Sequence, residues 1–206
     1  MGISSPAQAV RLQIIFENLS PTGGVAWSPL WFGFHDGSFD LFDPGETAAS
    51  GLEFLAEEGG SGAQLSADLA DRGGVVFGSL PSSDRPTDLF AAPDFFPGEV
   101  DSVTVEVDGN LAVNRFFSYA SMLVPSNDGF IANNNPQAFQ LFDAQGRFQN
   151  TTIAIIGANV WDGGTEVNDE DPNTTPGLNH VVGAGIPENG VITPHLGYST
   201  TNPNGV

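Results

Sequence analysis

Between Val10 and Asn18 the residues Val10, Leu12, Ile14 and Phe16 alternate with Arg11, Gln13, Ile15 and Glu17. A period of two sets one face of an extended segment against a core and the other toward water, which is the pattern of a half-buried strand. Similar short runs recur between turn residues. Leu30, Phe32 and Phe34 share a face in a run broken by Asp36-Gly37, and Gly73 to Leu80 carries Val75, Val76 and Phe77. Val103, Val105 and Val107 alternate with Thr104 and Glu106 ahead of an Asp108-Gly109-Asn110 turn. Arg115 to Val124, Ala138 to Phe142 and Thr151 to Val160 complete the expected strands. Two short helical segments are expected, over 46–58 up to Gly59-Gly60 and over 63–70. The 26 Gly and 15 Pro supply the turns that so many short strands require. The expected fold is therefore all-β, an antiparallel sandwich of about eight strands. Residues 1–9 are expected as an N-terminal extension, 10–171 as the sandwich, and 172–206 as a loop-rich C-terminal segment that packs on it or trails from it. Segment 81–98 holds four Pro and reads as a long loop.

Charge narrows the functional classes. Asp and Glu total 25 against five basic residues, all Arg, for a formal charge of −20. Such a surface repels nucleic acid and anionic membranes. Membrane insertion is not expected, because no apolar run approaches the roughly 20 residues a spanning helix needs. Without cysteine, thiolate catalysis and Cys-ligated zinc are excluded. Residues 1–9 lack the basic end and long apolar stretch of an intact signal peptide, but suit a chain from which one has been removed. Export to the cell surface or beyond is the expectation.

Catalysis is not expected. The three His residues, His35, His180 and His195, are widely separated, and no nucleophile elbow, phosphate loop or dinucleotide fingerprint is present. Carboxylate-based hydrolysis is the lesser alternative, since close acidic pairs arise by chance in so acidic a chain.

Two segments carry a family resemblance. Ser118-Tyr119-Ala120-Ser121-Met122-Leu123-Val124-Pro125-Ser126-Asn127-Asp128-Gly129-Phe130 is similar to a stretch of the spondin N-terminal domain family, in the form found in F-spondin and mindin. There a strand ends in Met, reaches Pro-Ser and then presents an Asp. Asn159-Val160-Trp161-Asp162-Gly163-Gly164-Thr165-Glu166 resembles that family's Trp-Asp-Ala-Gly-Thr-Asp motif. The likeness runs in order from about Val10 to Asp171 and is nearer to the stand-alone bacterial members. It implies a β-sandwich adhesion module with calcium on its loops, bound at Asp128, Asp162 and Glu166. Glu166 stands where the family has Asp, and Gly129 where the animal proteins have Trp, which puts animal-type partner binding in doubt.

The residues point the same way. A lone Asp after a strand is ordinarily a turn residue. If the strands preceding Asp128 and Asp162 end at one edge, however, three carboxylates converge. Such a cluster suits Ca²⁺ with its six to eight oxygen ligands. Gly163-Gly164 permits a tight turn, and Trp161 is expected to pack beneath it. The acidic run 168–171 is expected to be solvated, with the alternative that one of its residues completes the metal shell, and no EF-hand spacing occurs. The functional expectation is an extracellular calcium-binding adhesion or interaction module whose partner is a protein or glycan of the cell surface or matrix. The alternative is a self-associating subunit of a surface layer or filament, joined by a sheet edge or by the tail Gly190 to Val206.

Overall fold

The computed structural model describes residues 9–81, 94–178 and 183–198. Its architecture is an all-β sandwich with a helical cover. Among the described residues, β1 (Val10–Glu17) and β5 (Val100–Val107) form a two-stranded antiparallel sheet, with Val10 opposite Val107 and Glu17 opposite Val100. The larger sheet runs in the order β4 (Phe77–Leu80), β3 (Leu30–His35), β6 (Phe116–Val124), β7 (Gly129–Ala132), β8 (Val160–Asp162) and β9 (Thr193–Pro194). β2 (Ala26–Trp27) pairs with the end of β6. Helices α1 (Ser50–Glu58) and α2 (Ala63–Asp71) follow β3 in the chain.

The larger sheet is covered on both faces. Leu30, Phe32 and Phe34 of β3 join Leu12, Val107 and Phe117 in the core between the sheets. Trp31, on the opposite face of β3, is fully buried with Leu52, Leu55, Leu65 and Leu69 of the helices, and its indole N–H donates to Ser66 Oγ at 3.0 Å. This explains why β3 is apolar nearly throughout rather than alternating: neither face meets water. A Cβ on Gly33 would overlap Leu69, so the bare backbone there lets α2 seat on β3. His35 is buried at the end of the strand. Its Nδ1 accepts the Gly37 N–H, which leaves Nε2–H to donate to Ser118 Oγ. Burial lowers its pKa to about 4, so the ring stays neutral.

Several sequence expectations need correction. Thr151 to Val160 is not a strand. Residues 151–156 join no ladder among the described residues, Gly157–Asn159 is a 3₁₀ turn, and β8 begins only at Val160. The alternation was real, because Ile153 and Ile155 pack against the core, but it reported burial and not pairing. Ala138 to Phe142 makes only isolated bridges, Gln140 with Phe116 and Phe142 with Phe148. The first helix begins at Ser50 because a turn occupies Asp43–Glu46, where the Glu46 N–H donates to Asp43 O at 3.1 Å. Residues 82–93 of the expected loop, and 199–206 of the tail, lie outside the described residues. Ile192 is buried against the helices and β9 pairs with β8, so part of 183–198 packs on this molecule, while Ile186, Val191 and Leu196 are exposed.

Candidate metal centre

The turn between β6 and β7 is held from inside. Ser126 Oγ donates to Leu123 O at 2.6 Å and accepts the Gly129 N–H at 3.0 Å. Asn127 receives the Thr175 hydroxyl at 3.2 Å. Ser126, Asn127 and Asp128 are all buried, an unusual placement for three consecutive polar residues that their internal hydrogen bonds account for. β7 pairs with β8 so that Gly129 lies opposite Asp162, and the Gly163 N–H donates to Asp128 O at 3.1 Å. This register brings Asp128 and Asp162 together.

Asp128 then organises the following loop. Its Oδ2 accepts the backbone N–H of Thr165 at 2.8 Å and of Glu166 at 3.1 Å, with the Thr165 hydroxyl at 3.3 Å. Asp162 Oδ1 accepts the Gly164 N–H at 2.8 Å in an Asx turn, and Gly164 itself takes a left-handed φ of +65° where a Cβ would overlap the backbone of Val191. The Asn168 amide bridges the two acids, donating to Asp162 Oδ2 at 2.8 Å and to Asp128 Oδ1 at 3.3 Å. Trp161 stacks edge-on against Phe42 at 5.2 Å beneath the turn.

Glu166 lies 7% exposed in the same cluster, its carboxylate against the backbone of Gly185, where a Cβ would overlap it. Burial raises its pKa to about 7, reinforced by Glu57, then Asp128, Glu58 and Asp169. Glu57 is itself raised by burial, an effect the Thr165 hydroxyl tempers. Asp162 is raised by burial and then by Asp128. Glu58 Oε1 accepts the Gly183 N–H at 2.7 Å, while its buried Oε2 has no hydrogen-bond partner among the described residues.

Glu57 and Glu58 escaped the sequence reading. They occupy the last turn of α1, which holds no basic residue, although helix C-termini favour cations. That misplaced charge was the available signal. Asn168, from the run expected to be solvated, also belongs to the network, and Asp169 acts on Glu166.

The donors are hard oxygens, the set that suits Ca²⁺. The crowding of Glu166 by acids and the orphaned Glu58 Oε2 both fit a cation. As the side chains stand, no three His, Asp or Glu groups among the described residues enclose a point where an ion would sit. Asp128 Oδ2 is committed to the loop amides, whereas Oδ1 has only the 3.3 Å contact with Asn168. Uptake of an ion would therefore need these side chains to rearrange.

Fold and site together define an all-β sandwich that gathers carboxylates where the β6–β7 turn, the β8 loop and the end of α1 meet. No protein-family model matches the chain, and no curated protein matches it.

Proposed function

We propose that this chain is an exported, non-catalytic interaction module of spondin type whose loop cluster takes up Ca²⁺. Glu57, Glu166 and Asp162 would hold the ion together with Asp128, and Ca²⁺ would supply charge neutralisation and a fixed loop geometry, with no bond made or broken. The supporting observation is Glu166: a buried carboxylate on which the strongest charged neighbours are all acidic. An ion there ties the end of α1 to the β8 loop and leaves that edge rigid for a protein or glycan partner. The motifs at Ser118–Phe130 and Asn159–Glu166 favour the same reading.

Thermal unfolding in excess EGTA and then in millimolar CaCl₂ tests it. Binding to the folded state alone adds about 2.7 kcal/mol at 100 times Kd. Glu166→Gln is expected to abolish the calcium-dependent rise while increasing stability in EGTA, because it removes a buried charge from an acidic cluster. A full calcium response retained in Glu166→Gln would sink the proposal.

The pH dependence follows from two groups of opposite sign. Glu166 has a folded pKa of about 7 against an ordinary 4.5, so its contribution to metal-free stability is present below pH 4.5 and lost as pH rises through 7. His35 has a folded pKa of about 4 against 6.5, so the unfolded chain binds its proton first and stability is lost as pH falls from 6.5 to 4. Between pH 4.5 and 6.5 the two oppose each other. Glu166→Gln is therefore expected to lose stability more steeply on acidification than the parent, as read from urea midpoints in EGTA. Calcium binding near pH 6.5 is expected to release a proton from Glu166, visible as a calorimetric heat that varies with buffer ionisation enthalpy.

A further inference from the structure

A cleft of about 760 Å³ opens at one end of the sandwich. One wall is β1 at Ile15, Phe16 and Glu17, and another is the run 152–157, with Trp27 and Ile131 from the larger sheet also lining it. The first wall is a strand of the smaller sheet, and the second is a run outside any strand. Among the described residues β1 pairs with β5 alone, which leaves its outer edge unpaired there. In residues 151–155 Ile153 and Ile155 pack against the core, and the backbone makes no backbone–backbone hydrogen bond among the described residues. The rim exposes large apolar side chains, Ile15 at 61%, Leu19 at 81% and Ile156 at 65%.

An apolar cleft bordered, among the described residues, by the free edge of β1 and by a run with unpaired backbone has room for a third strand. A small apolar ligand would fill the volume but leave the peptide groups of both walls without partners. An added strand satisfies them, with alternate side chains entering the cleft. Charge selects among strands. Glu17 is the acidic residue on the lining, which contains neither Lys nor Arg, and the whole chain carries −20. A second copy brings the same negative charge and is repelled, whereas a cationic segment is drawn in.

We propose that this cleft binds an extended, alternately apolar segment of a basic partner protein, which adds to the free edge of β1. The inference is independent of the cation site, because neither wall contributes a carboxylate to that cluster.

The probe is a capped heptapeptide of alternating valine and threonine flanked by lysines, titrated against the full chain in EGTA. Controls are the same peptide with flanking glutamates and one with a central proline, which cannot pair as a strand. Saturable binding of the lysine peptide is expected, roughly tenfold weaker for the glutamate form and lost for the proline form. The double variant Ile15→Asn, Ile156→Asn changes only exposed rim positions and is expected to weaken binding roughly tenfold, with an unchanged unfolding midpoint. Equal binding of the proline peptide, an unaffected double variant, or no saturable binding would each overturn the proposal. So would concentration-dependent self-association that the double variant abolishes, since that would seat a second copy in the cleft.

Discussion

Asp128→Ala is expected to be the most damaging single change in the loop cluster. It removes the acceptor of the Thr165 and Glu166 N–H groups and leaves two donors unpaired in a buried site. Each unsatisfied buried donor costs about 1–3 kcal/mol, so the loss is roughly 2–6 kcal/mol before relief of repulsion with Glu166 is subtracted. Asp128→Asn separates the two roles of this residue. Its side-chain oxygen can still accept the loop amides, but the negative charge is gone. Chemical denaturation in EGTA should show the Asn variant close to the parent and the Ala variant well below it, while both lose the stabilisation by CaCl₂. An Asn variant as unstable as the Ala variant would mean that the charge itself holds the loop. A calcium response retained in the Asn variant would remove Asp128 from the proposed ligand set.

Trp31→Ala is expected to loosen the helical cover. Trp31 is fully buried between β3 and the helices, and its truncation also orphans the Ser66 contact. Substitutions of this kind cost about 3–5 kcal/mol. For a chain of this size that corresponds to a drop in Tm on the order of 10 °C. Trp31→Phe retains most of the volume and should recover most of the loss. A shift of only a degree or two in Trp31→Ala would show that the helices contribute little to the cooperative fold.

The parts of the fold that were legible in the sequence are those in which one physical cause dominates. β1 and β5 have a solvated face, so their alternation is clear, and β6 is long and apolar enough to declare itself. β7 was not legible, because Gly129-Phe130-Ile131-Ala132 is short, buried throughout and shows no period. Residues 151–156 illustrate the opposite failure, since burial of alternate side chains imitates a strand where no ladder exists among the described residues. At the site, Asp128, Asp162 and Glu166 could be named from their place in the loops and from the spondin resemblance. Glu57 could not, because its proximity to Glu166 is created by the packing of α1 on the sheet, more than a hundred residues away in sequence.

The double cover over β3 and β6 has a consequence for how the molecule opens. Amide hydrogens in strands enclosed on both faces reach solvent only when the sheet comes apart, so their deuterium uptake reports the free energy of the entire domain. β9 has two residues, both exposed, and residues 167–169 beyond the buried Glu166 are exposed too, so uptake there can proceed through small local excursions. The two regions thus serve as separate clocks. Calcium that slows only the outer one would be a local clasp, and calcium that slows both would be part of what keeps the whole domain closed.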